Sequence, residues 1–434
     1  VHRFYWTAPF IISPHDPETL YLGGNKLFTT RDRGVTWSAS ADLSRQLDRD
    51  TLAIMGSVWD STALSRNDGV SGYGHITTLA ESPLRPGLLW VGTDDGNVQV
   101  LADGGESWSE LSSGLPDLPR PMFVSRVEAS PTIETRAYVA LDGHWDDDYE
   151  SYLYVTDDLG QTWRAIGAGL EGPVRTVREH PDNPNAVFAG TDLGVFFSLD
   201  GGSNWTRLNA NLPRVPVFDL EIHPRESDLI AATHGRGIGV LAYVGVLAAR
   251  AEQAMSSGVR MSPINTATLF QHALDIPRMG HAAFRAPNPA FGTVVTYYLR
   301  DDAGQDAEIR VRDADGHVIR TMTGPGTAGV HRVAWDLRLQ PLEIDTLVFE
   351  MGDLDVGPQG PFVMAGRYEI EVRAGERVAR ESAEVRTDPA FPIPLAEQRA
   401  RYDFTVDLYR LQADEYHAAV QANLLERSAE AALD

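Results

Sequence analysis

The sequence contains no cysteine, which removes disulfides, thiol nucleophiles and thiolate metal sites together. Lysine is almost as scarce: Lys26 is the single one among 37 basic residues, a bias that points to a GC-rich bacterial gene rather than to a charge mechanism. No apolar run reaches the roughly 20 residues of a membrane-spanning helix; the nearest, around Gly239–Ala249, is short and holds glycine and tyrosine. Basic surface is also lacking. A formal charge of −24 excludes nucleic acid as the expected partner, because phosphate neutralisation needs clustered Lys and Arg. What is present is the composition of a folded protein, 43% hydrophobic and 23% charged, with 39 Gly and 26 Pro suited to short strands joined by tight turns. At 434 residues, two or three domains are expected. The first residues already read as a strand, so the expectation is a mature or trimmed product of an exported, periplasmic or extracellular bacterial protein.

Internal repeats decide the fold. The pattern Asp-x-Gly-x-x-Trp occurs four times, at Asp32-Gly34-Trp37, Asp103-Gly105-Trp108, Asp158-Gly160-Trp163 and Asp200-Gly202-Trp205. It reads as a hairpin turn in which Asp accepts backbone N–H groups, Gly takes positive φ and Trp plugs the space between neighbouring sheets. Upstream of each box, Ser13-Pro14, Ser82-Pro83, Ser130-Pro131 and His180-Pro181 follow a short apolar strand. A fifth copy starts at His223-Pro224 and has no box. The prolines recur at intervals of 43–69 residues, as four-stranded blades with variable loops require. The expected fold class is mainly β: an Asp-box β-propeller of five visible blade units over residues 1–246.

These residues resemble the Asp-box (BNR-repeat) propeller superfamily, which includes sialidases, xyloglucanase-type glycoside hydrolases and sortilin-like receptor domains. Ala8-Pro9, Ser13-Pro14-His15-Asp16-Pro17, Gly92-Thr93-Asp94-Asp95-Gly96-Asn97 and Thr233-His234-Gly235-Arg236-Gly237-Ile238 look most like the bacterial sortilin-like or "glycosyl hydrolase" BNR-repeat proteins. Such proteins carry further blades ahead of the segment that Ala8-Pro9 matches. The resemblance therefore implies an incomplete ring, completed by missing N-terminal blades or by a protein partner.

A Pro-containing connector is expected over 247–290. Alternating patterns over Thr293–Leu299, Glu308–Arg312, Val318–Met322, His331–Leu337, Gly366–Arg373 and Arg377–Arg386 then predict an antiparallel sandwich in 291–390. This stretch resembles the immunoglobulin-like modules of flagellar hook-capping type, with Trp335 as a core plug. Gln340–Pro361 reads as a surface loop or docking arm. In 391–434 a helix is expected from Leu395 to Leu433, with Leu395, Tyr402, Val406, Tyr409 and Leu411 as its apolar face.

Propeller geometry sorts the polar residues. The box aspartates lie on one rim and read as structural. Turns between second and third strands lie on the other, which gives a candidate binding rim of Asn25, Lys26, Asp94, Asp95, His144, Trp145, Asp192, His234 and Arg236. Asp94, Asp95, Glu128 and Asp192 are the candidates for a catalytic carboxylate pair, which glycoside hydrolysis needs on either side of the scissile bond. The alternative is that Glu and Arg residues of the inner strands make ion pairs between blades. Asp142, Asp146, Asp147 and Asp148 offer hard oxygens suited to Ca²⁺, against the plainer reading of a solvated acidic loop. Serine-hydrolase elbows, phosphate loops and metalloprotease helices are absent from the sequence. Two functions remain. The favoured one is a non-catalytic binding or scaffold propeller in a larger assembly. The alternative is a glycoside hydrolase, xyloglucanase- or sialidase-related, with a glycan ligand.

Overall fold

A computed structural model describes residues 2–433 except 52, 55–56, 61, 63–72, 103, 105–106, 209–210, 225, 243, 246–257, 271–289 and 343–358. The chain divides into two compact units, Val1–Ala251 and Glu252–Asp434.

The first unit is a β-propeller segment of five antiparallel sheets, each a meander with strands in chain order. Blade 1 comprises Phe10–Ile12, Leu20–Gly23, Leu27–Thr30 and Ser38–Ala39; blade 2 comprises Ile76–Glu81, Leu89–Thr93, Val98–Leu101 and Ser109–Glu110. Blade 3 follows with Phe123–Ala129, Ala137–Asp142, Tyr152–Thr156 and Arg164–Ala165, and blade 4 with Val174–His180, Asn183–Thr191, Gly194–Ser198 and Thr206–Arg207. Blade 5 has three strands among the described residues, Val217–Ile222, Leu229–Thr233 and Ile238–Leu241. Second strands such as Leu89–Thr93 and Ala137–Asp142 are buried on both faces, as expected for a sheet sandwiched between two others. Each consecutive pair of blades shares one apolar cluster: Tyr21, Leu27 and Leu43 of blade 1 meet Ile76, Leu79 and Val91 of blade 2, and the same arrangement recurs up to the seam of blades 4 and 5.

The box turns follow from hydrogen-bond chemistry. Asp32 Oδ1 accepts the Thr36 N–H at 2.8 Å, Oδ2 accepts the Thr36 hydroxyl at 2.7 Å, and Gly34 adopts φ 91°. Asp158 and Asp200 repeat this with Thr162 and Asn204. A hydroxyl two residues earlier, on Thr30, Thr156 or Ser198, donates to the Asp and accepts the glycine N–H. Asp103 and Gly105 lie outside the described residues. Trp108, Trp163 and Trp205 each pack back on the preceding blade, Trp163 edge-on to Trp90 at 6.4 Å and Trp205 with its Nε1 donating to Ile166 O at 2.7 Å. Trp37 departs from the expected plug: it is 43% exposed, and its indole N–H turns to Gly34 O of its own box.

These turns make the acid limb of stability predictable. Backbone and side-chain donation from Thr36 holds the Asp32 carboxyl at about 2, and donation from Asn204 holds that of Asp200 at about 2. Both folded values are depressed, so their contribution is present above the ordinary carboxylate range and is lost as pH falls through about 2. Glu179 has the opposite sign. Burial pushes its carboxyl up despite donation from Thr132, Tyr138 and Ser130, so its effect on stability worsens as pH rises through the raised value. The expected melting temperature falls between about pH 4 and pH 2, and Asp200→Asn shallows that fall. An identical acid limb in the variant would refute the assignment.

In the second unit, Val259–Met261, Thr293–Leu299 and Gly329–Trp335 form one sheet; Ala267–Leu269, Arg377–Thr387, Gly366–Ala374, Ala307–Arg312 and Val318–Gly324 form the other. Both sheets contribute to one core around Trp335, Tyr297 and Ile370. Trp335 is fully buried and packs edge-on to Tyr368 at 5.3 Å. The connector expected over 247–290 needs correction where it is described: Val259–Met261 pairs with Thr293–Leu299, and Ala267–Leu269 runs parallel to Arg377–Thr387. Both segments are too short for a period to show in sequence. Most of the arm expected in Gln340–Pro361 lies outside the described residues. The helix α1 (Leu395–Leu433) is present, and the Tyr409 hydroxyl donates to Gln340 O at 2.6 Å. Its half-buried stripe runs through Tyr402, Val406 and Tyr409; Leu395 and Leu411, expected on that face, are 69% and 63% exposed. No helix among the described residues is long and apolar enough to cross a membrane.

Candidate functional site

Second strands of successive blades end at one repeat position on the rim opposite the boxes. Asp94 donates its N–H to His75 O, Asp192 to Pro173 O and His234 to Pro216 O. Asp142 closes the second strand of blade 3 at the corresponding place. Three aspartates and a histidine therefore stand side by side on blades 2 to 5.

On blade 2 the carboxylates are consumed internally. Asp94 Oδ1 accepts the N–H groups of Gly74 at 2.9 Å and His75 at 2.7 Å, and Oδ2 lies 2.7 Å from His75 Nδ1. Asp95 accepts the Arg45 N–H at 2.7 Å and the Thr93 hydroxyl, and burial pushes its carboxyl up. The Tyr5 ring lies 6.0 Å from that of His75; burial, then the charges of Asp94 and Asp142, push its phenol up.

Blades 3 and 4 are joined by Arg175. Its Nε and Nη2 grip both oxygens of Asp192 at 2.7 and 2.9 Å, and Nη1 donates to Asp142 Oδ2. Burial opposes the guanidinium charge, but Asp192 and Asp142 outweigh it and hold Arg175 above its ordinary value. Asp142 Oδ2 also lies 2.6 Å from His144 Nδ1. The guanidinium lies over Phe218 of blade 5 at 5.2 Å, and Phe218 meets His234 at 5.5 Å. Accessibility separates the carboxylates: the side chain of Asp142 is fully buried, whereas that of Asp192 is 24% exposed. Around them Trp145, Tyr149 and Phe218 are exposed at 61%, 60% and 50%, and the Trp145 ring meets that of His144 at a tilt of 40°, 4.5 Å away.

The remaining candidates fall elsewhere. Asn25 is buried, donating to Asp42 at 2.7 Å and accepting the Arg3 N–H at 3.0 Å. Lys26 and Arg236 sit in the rim turns of blades 1 and 5, Arg236 exposed between Gly235 and Gly237. Glu128 is bound through both oxygens by Arg178 at 2.7 Å, which makes it one member of an interblade ion pair. The acidic turn does not gather its aspartates: Arg120 takes Asp146 and Asp148, each at 3.1 Å, while Asp142 faces Arg175. Asp147, in the left-handed region at φ 59°, is left without a side-chain partner among the described residues. The grouping of three potential metal ligands within 4.8 Å among the described residues is Asp313, Asp315 and His317, in the second unit.

His75, Tyr5, Phe218 and Arg120 are absent from the sequence-derived candidates, and Arg175 enters there only as an inner-strand arginine. A signal for Arg175 and Phe218 exists in the repeat. Blades 2 and 3 carry Thr77 and Ser125 at this position, each hydroxyl donating to the next blade at 2.7 Å, to Val124 O and Val174 O. Blade 4 replaces the small hydroxyl with Arg175 and blade 5 with Phe218. That break in a structural repeat position is the signal the sequence offers for both residues.

No family model matches the chain. It is similar to an oligoxyloglucan-reducing end-specific xyloglucanase of Emericella nidulans, 27% identical over 169 residues that cover 37% of this chain and 18% of the relative. It is also similar to a xyloglucanase of Hypocrea jecorina, 28% identical over 123 residues covering 27% of this chain and 14% of the relative. The chain thus spans less than a fifth of the curated relatives it matches. Among solved structures, the GH74 xyloglucanase from Xanthomonas campestris aligns at TM-score 0.40 and 16% identity, covering 85% of this chain and 57% of that one. The curated relatives are enzymes, which overturns the expected non-catalytic scaffold. That expectation failed because it weighed the lack of a readable carboxylate pair too heavily: residues from different blades have no fixed spacing in sequence.

Proposed function

We propose that this chain is part of a glycoside hydrolase acting on xyloglucan-type β-glucans, with the Asp192 rim as its glycan-facing site. Similarity to xyloglucanases is the observation that carries the reaction class. The rim geometry supports the location. Exposed aromatic faces at Trp145, Tyr149 and Phe218 suit the apolar C–H faces of sugar rings, and a few placed polar groups suit their hydroxyls. Asp192, held at both oxygens yet open to solvent, is one of the two carboxyl groups that glycoside hydrolysis places roughly 5–10 Å apart across the scissile bond. Asp147, which the neighbouring arginines leave unpaired, is our candidate for the second. A polymeric glycan substrate accords with an exported protein, and the box repeats accord with membership of the Asp-box superfamily.

The test is turnover. The chain is incubated with xyloglucan oligosaccharides, cello-oligosaccharides and sialosides while new reducing ends are counted. Release from the xyloglucan series is expected. A folded chain that neither binds nor cleaves any of them overturns the reading.

A further inference from the structure

The turn between Asp142 and Tyr152 is the longest of the five that join second and third strands, and it carries Trp145, Asp147 and Tyr149. Apolar packing does not explain its shape. Its 3₁₀ segment, His144–Asp146, contains no buried residue, and the rings of Trp145 and Tyr149 are exposed. A segment without a core of its own is ordered only where its polar groups are tied down, because every residue fixed costs conformational entropy.

Two ties do this. At the entry, Asp142 Oδ1 accepts the His144 N–H at 3.0 Å, and Oδ2 lies 2.6 Å from the ring Nδ1. Arg175 joins that carboxylate to Asp192, so the start of the turn is referenced directly to the rim. The turn then closes on Gly143, whose carbonyl accepts the N–H groups of Asp146 at 2.9 Å and Asp148 at 3.2 Å. The second tie is Arg120, reaching in from the linker before blade 3. Its Nε donates to Asp146 and its Nη2 to Asp148, each at 3.1 Å. The Tyr152 hydroxyl donates to the same Asp148 oxygen at 3.1 Å. Asp147 therefore stands between two aspartates that one guanidinium holds, and Trp145 stands immediately before them.

We propose that Arg120 is a positioning residue for the glycan: by fixing this turn it presets Trp145 against Asp192 before substrate arrives, and so lowers the ordering cost of binding. The role rests on the hydrolase reading. Arg120 is partly exposed and pairs near the surface, so its contribution to global stability is small. Its effect is local order, which is what a binding surface on an irregular segment needs.

The test is a double-variant cycle on the full chain with xyloglucan oligosaccharides. KM is the readout, because Asp147 on the same turn ties kcat to the proposed chemistry. Arg120→Gln should raise KM about three- to tenfold in the otherwise wild-type chain. It should raise KM by less than about twofold where Trp145→Ala has already removed the ring that it positions. Asp146→Ala, which breaks the pair from the other side, should reproduce the first effect. Hydrogen exchange adds a readout that needs no substrate: amides of 143–150 should exchange faster in Arg120→Gln at an unchanged melting temperature. Equal increments of KM in the two backgrounds, or unchanged exchange, would overturn the positioning role alone. A wild-type chain that turns over no xyloglucan would overturn the hydrolase reading, and the role of Arg120 toward a glycan with it.

Discussion

On the proposed hydrolase reading, Asp192→Asn should lower turnover of xyloglucan oligosaccharides by about 10²–10⁴-fold, the usual loss when a positioned catalytic carboxyl is neutralised. The substitution keeps size and shape and one oxygen for Arg175, and the position is partly exposed, so the melting temperature should hardly move. Asp94→Asn supplies the contrast. That carboxylate accepts two backbone N–H groups and faces His75 in a buried setting, so its loss should lower the melting temperature. Trp145→Ala separates binding from chemistry: removing an exposed ring from the proposed glycan-facing rim should raise KM while leaving kcat within a few-fold. Full activity in Asp192→Asn would remove this residue from the mechanism. Loss of activity accompanied by unfolding would instead make Asp192 structural.

The blades are legible in the sequence because one physical problem is solved four times, and the fifth blade keeps the strand pattern without the box. A box turn needs an Asp acceptor, a glycine at positive φ and an aromatic plug, and those constraints survive as Asp-x-Gly-x-x-Trp. The sandwich strands are legible for a similar reason, since alternation over seven or more residues, as in Thr293–Leu299, exposes its period. Three-residue strands such as Val259–Met261 have no period to read. The site was less legible because its members are brought together by strands on different blades: Asp142, Arg175, Asp192 and Phe218 meet only once the sheets stack. Charge type also misled. The acidic run Asp146–Asp148 looks uncompensated in sequence, yet Arg120 reaches it from the preceding loop.

One pairing rule did not show in the sequence and explains the inner glutamates. Tyr21 donates to Glu81 of the next blade at 3.3 Å, and Tyr138 to Glu179 at 2.7 Å. At the same positions blades 2 and 4 carry Trp90 and Phe188, which offer no hydroxyl to Glu128 and Glu221. Arg178 takes over both glutamates, at 2.7 and 3.0 Å, and its Nε donates to Leu220 O at 2.7 Å. A single guanidinium thereby ties the inner strands of blades 3, 4 and 5.

Arg178→Met should therefore destabilise the first unit by about 3–5 kcal/mol, the range found when one partner of a buried ion pair is removed. Most of that cost comes from the partner left behind. Glu128 is nearly buried, and without Arg178 the cationic charge left near it is that of Arg126, whose own ion pair is with Asp219. Adding Glu128→Gln to Arg178→Met should recover much of the loss, because the stranded charge is gone while the packing defect remains. The pH dependence gives a second readout. The deficit should be smaller at pH 5 than at pH 8, because protonation neutralises a stranded carboxylate. Urea unfolding followed by tryptophan fluorescence, at pH 5 and pH 8, measures both effects. A loss equal at the two pH values, or one that Glu128→Gln leaves unchanged, would show that Arg178 contributes through packing of its alkyl stem rather than through charge.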